Sequence, residues 1–113
     1  MCLVLRTFPK HRNDANFDPE ASGEWVHMKV QGAARTWYNK DLEQLAKVHI
    51  LATHLSERDL PRLYKAADAF VLPSRGEGWG RPITEAMAMA MPVVLTNWSA
   101  QTEYAGDHNA WMV

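Results

Sequence analysis

Cysteine is almost absent from this chain of 113 residues: Cys2 stands alone. One thiol excludes an internal disulfide and a cysteine-rich zinc site. Charge of one sign is also lacking. Twelve Lys and Arg against thirteen Asp and Glu leave a net charge of −1, with no basic block. A nucleic-acid partner therefore has no electrostatic support. No apolar run approaches the ~20 residues of a membrane-spanning helix. The apolar residues before Arg6 are too few for a signal peptide's core, so the expected location is cytoplasmic. Internal repeats and low-complexity tracts are missing too.

What remains is ordinary for a globular protein, with 47% apolar and 22% charged residues. The length suits one domain, which can bury roughly two-thirds of its unfolded surface. Cys2-Leu3-Val4-Leu5-Arg6-Thr7 reads as a strand. Residues Phe8 to Glu20, with Pro9, Asn13, Asp14, Asn16, Asp18 and Pro19, read as a loop. His11, Asp14 and Asp18 in it suggest a metal site only weakly, because nothing there fixes three side chains toward a common point. No metal is expected, and no cofactor. Glu24 to Val30 reads as helix or strand, with Trp25, Met28 and Val30 packing. Asn39 to Lys47 reads as a helix capped by Asn39, with Leu42, Leu45 and Ala46 as its apolar stripe.

Val48 to Thr53 is a second strand, with His49 near its start and His54 past its end. Both histidines are expected to make only local hydrogen bonds. Ser56-Glu57-Arg58-Asp59 resembles a capping box ahead of a helix with Leu60, Leu63, Tyr64 and Ala67 on one face. Ala69-Phe70-Val71-Leu72 reads as a buried parallel strand, Val93 to Thr96 as another, and Ala110 to Val113 as an edge strand. Strands alternating with helices give the class α/β with a parallel sheet. In such sheets ligands sit outside the carboxyl ends of the strands.

One stretch carries chemistry at such an end: Pro73-Ser74-Arg75-Gly76-Glu77-Gly78-Trp79-Gly80-Arg81-Pro82-Ile83-Thr84-Glu85. It runs from the strand through a glycine-rich loop into a helix whose apolar face carries Ile83, Ala86, Met87 and Ala90, and which Pro92 ends. Gly76, Gly78 and Gly80 let a backbone approach a ligand, and amides at a helix start attract an anion. Two carboxylates, Glu77 and Glu85, frame the loop with seven residues between them. Asn97 to Gln101 forms a second polar loop at a strand end.

From Leu60 to Tyr104 the chain resembles the retaining glycosyltransferases of the GT-B fold, glycosyl transferases group 1, which use nucleotide-sugar donors. The resemblance rests on Leu60 to Asp68, Phe70 to Ser74, the Glu-x7-Glu pair, Pro92-Val93-Val94 and Thr96-Asn97-Trp98-Ser99. It implies a Rossmann-like parallel sheet forming an incomplete C-terminal half of a GT-B fold, one partial nucleotide-sugar-binding domain over residues 1–113. It implies that Glu77 contacts hydroxyls of the donor sugar and acts in catalysis, and that Glu85 accepts hydrogen bonds from both ribose hydroxyls. Gly78, Trp79, Gly80 and Arg81 would hold the sugar and diphosphate of a UDP-, GDP- or ADP-sugar, with Ser99 and Glu103 beside them. Trp79 either stacks on the ligand or packs under the loop. Glu103 is either a further contact or a surface carboxylate. Trp98 and Trp111 are expected in the core, and Arg75 in solvent.

The resemblance also sets expectations about what is missing. The chain is expected to start at the second strand of the C-terminal domain, without the basic pair for the diphosphate and without the acceptor-binding N-terminal domain. Cys2–Arg6 would then pair beside Ala69–Pro73 or leave a gap. Ala90 and Ala100 stand where the family often has glycine, and are expected to crowd the donor site. The expected function is a donor-binding glycosyltransferase fragment, inactive alone, whose partner is a separate N-terminal domain. The alternative is a non-catalytic nucleotide-binding or interaction module. A glycosidase, the other chemistry of paired carboxylates, needs one acid kept protonated, and no apolar pocket for it is visible in the sequence.

Overall fold

The structure, a computed structural model, describes residues 2–6 and 18–113. They form two compact units, Met1–His54 and Leu55–Val113. The class is mixed α/β with parallel strands, Rossmann-like as expected. Of the suggested metal set, His11 and Asp14 lie outside the described residues, and Asp18 caps a helix.

In the first unit, strand β1 (Cys2–Arg6) pairs in parallel with β2 (Lys47–Leu51), from Cys2 opposite Lys47 to Arg6 opposite Leu51. β2 is thus the strand that Cys2–Arg6 pairs with inside its own unit, and the second unit's strands form their own ladder. Parallel neighbours need a crossover, and helix α1 (Pro19–Tyr38) supplies it. Asp18 starts α1 by accepting from the amides of Glu20 (2.9 Å) and Ala21 (3.3 Å), with Pro19 in the first turn, where its lost N–H costs nothing. So Pro19 and Glu20 belong to a helix rather than a loop, and Glu24 to Val30 is helical. Of its expected packing residues, Trp25 and Met28 are exposed; Ser22, Val26 and Ala34 are the buried ones.

Asn39 ends α1 instead of opening the next helix. It adopts the left-handed conformation (φ 50°) and donates to Arg35 O over 3.1 Å. Asparagine serves both ends of helices, so its type alone did not fix which. The next helix shrinks to one turn, α2 (Leu42–Leu45), begun by Asp41. Gln31 of α1 holds this turn, donating to Asp41 Oδ1 (2.7 Å) and accepting from the Leu42 amide (2.9 Å).

The second unit contains α3 (Leu60–Lys65), β3 (Phe70–Leu72), α4 (Arg81–Ala88), β4 (Val93–Leu95), a 3-10 turn (Ala100–Glu103) and β5 (Trp111–Met112). Its sheet runs β3-β4-β5, all parallel. Ser56 and Asp59 hydrogen-bond to each other ahead of α3, as the sequence suggested. The helix ends sooner than expected, which leaves Ala67 exposed. Ile83 and Ala86 of α4 pack with Tyr64, Val93, Leu95 and Ala105 to make the core. Full burial of a side chain such as Ile83 is worth about 1.5–3 kcal/mol.

Only one face of this sheet is deeply buried. Val71, Val94 and Trp111 stand in register on the other face, and Val71 and Trp111 are 55% and 66% exposed. The expected burial of Val71, and of Trp111 in the core, is thus corrected: both have the side of the strand opposite the core residues Val93 and Leu95.

Ala90 also leaves its expected helical face. It follows α4 in the left-handed conformation (φ 57°). Its amide donates to Met87 O, and the Met91 amide to Ala86 O. These are the two bonds of a Schellman cap, whose left-handed position favours glycine. Ala90 therefore sits at the opposite end of α4 from Gly80.

Candidate functional site

The loop between β3 and α4 is shaped by one obligatory glycine. Gly80 is left-handed (φ 77°), and a Cβ on it would lie 2.7 Å from Ile83 Cδ1 and 2.9 Å from the Tyr104 hydroxyl. Its carbonyl accepts from the amides of Ile83 (2.8 Å) and Thr84 (3.3 Å), which opens α4. Gly76 and Gly78 are different. A Cβ at Gly78 would meet open space, and one at Gly76 would touch only Ser99 Oγ at 3.8 Å. No neighbour among the described residues requires glycine at these two positions.

Among the described residues, the backbone N–H groups of Gly78, Trp79 and Gly80 meet no protein acceptor. They precede the N-terminus of α4, whose dipole adds positive potential at the same place. Of the three residues only Gly80 is buried, where an amide without a partner is costly unless something else satisfies it; Gly78 and Trp79 are exposed.

Two hydroxyls staple the loop from the segment after β4. Ser99 Oγ accepts from the Glu77 amide (3.2 Å) and donates to the Glu77 carbonyl (2.9 Å). The Tyr104 hydroxyl donates to Trp79 O (2.6 Å), and its ring lies 5.1 Å from that of Trp79. Burial, and then the negative charge of Glu77, push the Tyr104 phenol above its ordinary pKa. Ser99 itself is strained. At φ 72°, ψ −161° it occupies a region almost confined to glycine, at a cost of about 1–3 kcal/mol.

Glu85 is held separately. Tyr64, 7% exposed, shares its hydroxyl hydrogen between Glu85 Oε2 (3.1 Å) and Pro82 O (3.3 Å). Glu85 lies beyond the first turn of α4, which carries no acid. The dipole's pull fades within that turn, so dipole stabilisation is a poor account of its place.

The structure thus ties Glu77 to Ser99, ties Trp79 and Gly80 to Tyr104, and sets Glu85 on the helix that the loop opens. It does not join the others. Arg81 begins α4, exposed and without an ion pair among the described residues. Glu103 is exposed in the 3-10 turn, and Arg75 is exposed in the loop. Trp98, expected in the core, is 66% exposed beside Ser99, and Trp79 is 54% exposed. Among the described residues no three His, Cys, Asp or Glu side chains gather as metal ligands. Sequence reading missed Tyr64 and Tyr104. The signal for Tyr64 was a hydroxyl on an otherwise apolar helical face; Tyr104, just past Glu103, carried none.

The second unit thus brings together a parallel strand, a glycine loop whose Gly78, Trp79 and Gly80 amides meet no acceptor among the described residues, and a helix bearing a tethered glutamate. Comparison with known proteins says which kind of protein carries it. The chain belongs to the family Glycosyl transferases group 1, whose model matches residues 1–113. It is similar to the O-antigen chain mannosyltransferase B of Escherichia coli, 48% identical over 54 residues, covering 48% of this chain and 14% of that protein. It is also similar to the mannosylfructose-phosphate synthase of Agrobacterium fabrum, 49% identical over 43 residues, covering 38% of this chain and 10% of the relative. The lipopolysaccharide core biosynthesis mannosyltransferase LpsB of Rhizobium meliloti is 47% identical over 45 residues, 40% of this chain and 13% of its own length. The matches therefore span well under a fifth of these relatives.

Proposed function

We propose that residues 1–113 act as the donor-binding part of a retaining glycosyltransferase that takes a nucleoside-diphosphate sugar. The observation that carries this reading is the set of open amides at Gly78, Trp79 and Gly80, ahead of α4 and tied by the Tyr104 hydroxyl at Trp79 O. A diphosphate oxygen satisfies such amides. Glu85 accepts the two ribose hydroxyls, each charge-assisted bond being worth about 1.5–3 kcal/mol. Glu77 accepts from hydroxyls of the sugar and is the catalytic carboxylate. Arg81, exposed at the helix start, lies against the phosphates, and Glu103 is a peripheral contact. Three relatives whose names describe mannosyl chemistry favour a mannosyl donor.

In the reaction the bond from the anomeric carbon to the diphosphate oxygen breaks, and its electron pair leaves with the phosphate. An acceptor hydroxyl oxygen bonds to the same face of that carbon and passes its proton to the departing phosphate oxygen. Donors aimed at the departing oxygen stabilise the transition state. The helix dipole supplies up to ~2 kcal/mol, against at least ~8 kcal/mol for enzymatic catalysis. The remainder has to come from groups other than this loop, so residues 1–113 by themselves are inactive. It works in the cytoplasm, where activated sugar donors are available.

Calorimetry with GDP-, UDP- and ADP-mannose tests the reading. One of the three binds, and Glu85→Ala weakens it about ten- to a hundred-fold without changing the circular dichroism spectrum. No heat at millimolar concentration of any of them contradicts donor binding and favours a module that only interacts with protein. Sugar transfer by the purified chain contradicts the need for a second domain.

A further inference from the structure

The structure assigns Ser99 a role other than touching the donor: we propose that it is a positioning residue that fixes Glu77 for sugar contact. The inference rests on the donor-binding reading above. A serine hydroxyl has one hydrogen to give, and Ser99 spends it on the Glu77 carbonyl while accepting the Glu77 amide. Both polar groups of the Glu77 backbone that face this hydroxyl are thereby fixed. No hydrogen remains for a phosphate or a sugar oxygen.

The backbone of Ser99 is held in its strained conformation from several directions. Its carbonyl accepts from Thr102 Oγ1 (2.8 Å) and from the Thr102 amide (3.1 Å). Behind it, Gln101 is fully buried and donates to Thr96 O over 3.0 Å. The Asn97 amide donates to Val113 O, which ties the start of this segment to the end of β5. Strain persists only where surroundings over-determine it, and here it points the hydroxyl at the loop. A purely structural turn at this place would be built more cheaply with glycine. Serine is needed only for the hydroxyl.

That difference supplies the test. Ser99→Ala removes the hydroxyl and keeps the strain; Ser99→Gly removes both. Amide hydrogen exchange of the 15N-labelled full chain reads the clamp directly. The Glu77 amide exchanges about ten-fold faster in both variants, while Ser99→Gly melts at or above the wild-type temperature. Calorimetry then compares GDP-, UDP- and ADP-mannose with GDP, UDP and ADP. The wild-type chain gains affinity from the mannosyl group, and both variants lose most of that gain while binding the free diphosphate as before. Unchanged Glu77 exchange in Ser99→Gly overturns the clamp. Faster exchange with an undiminished mannosyl gain overturns positioning. A wild-type chain that binds none of the six ligands overturns the donor-binding reading and the sugar contact with it, and the exchange data still decide the clamp.

Discussion

Tyr64 reaches Glu85 across 3.1 Å, from the last turn of α3 to the second turn of α4. The carboxylate is thus oriented by a buried phenol before any ligand arrives. Tyr64→Phe keeps the edge-on packing against Phe70, with ring centroids 6.1 Å apart, and deletes only the hydroxyl. The expected loss of stability is about 1–2 kcal/mol, read from the denaturant midpoint, with weaker nucleotide binding beside it. An unshifted midpoint would show that the bond contributes nothing to the fold.

Gly80→Ala puts a methyl group within 3 Å of Ile83 and Tyr104 and keeps a left-handed backbone. Left-handed strain costs roughly 1–2 kcal/mol and overpacking about 1–3 kcal/mol. Urea unfolding should show the sum. The corresponding change at Gly78, where a Cβ meets open space, should leave stability nearly unchanged and act only on ligand binding.

Ala90→Gly should do the reverse and stabilise the protein. The Schellman cap places this residue at φ 57°, where glycine is relaxed and alanine is not. Relief of strain, less the greater entropy of glycine in the unfolded chain, leaves a gain of about 0.5–1 kcal/mol. A rise in melting temperature with unaltered ligand affinity would also bear on the expectation that alanine here crowds the donor.

The Tyr104 phenol gives the fold an alkaline limit. Its pKa is raised above 10.0 by burial and by the charge of Glu77, so the folded state holds its proton more tightly than the unfolded state does. The stability this contributes is complete below the ordinary tyrosine pKa and is lost as pH rises through the folded one. Tyr104→Phe should remove that alkaline slope. Glu77→Gln should lower the Tyr104 titration midpoint, followed by absorbance at 295 nm; an unmoved midpoint would separate the two residues electrostatically.

Much of the second unit was legible because its strands are short apolar runs punctuated by Pro73, Pro92 and the glycine loop, signals with local causes. The first unit was less so. Gly23 and Gly32 lie inside α1 although glycine disfavours helix, Pro19 and Asp18 read as turn residues while serving as its start, and Asn39 closes a helix as readily as it opens one. Which side of a strand meets the core depends on tertiary packing, so Val71 and Trp111 read as buried and are not. At the site, the motif named the loop and its glutamates. The residues that hold them, Tyr64, Ser99 and Tyr104, act across 21 to 25 positions of sequence, and only the fold brings them together.

An amide-resolved NMR titration of the chain with GDP-, UDP- and ADP-mannose probes the central claim most directly. If the open amides hold a sugar diphosphate, the Gly78, Trp79 and Gly80 resonances move first and furthest with at least one of these ligands, and Glu85→Ala weakens the response. Saturable binding that leaves those three resonances in place, or moves only residues of the first unit, would contradict it.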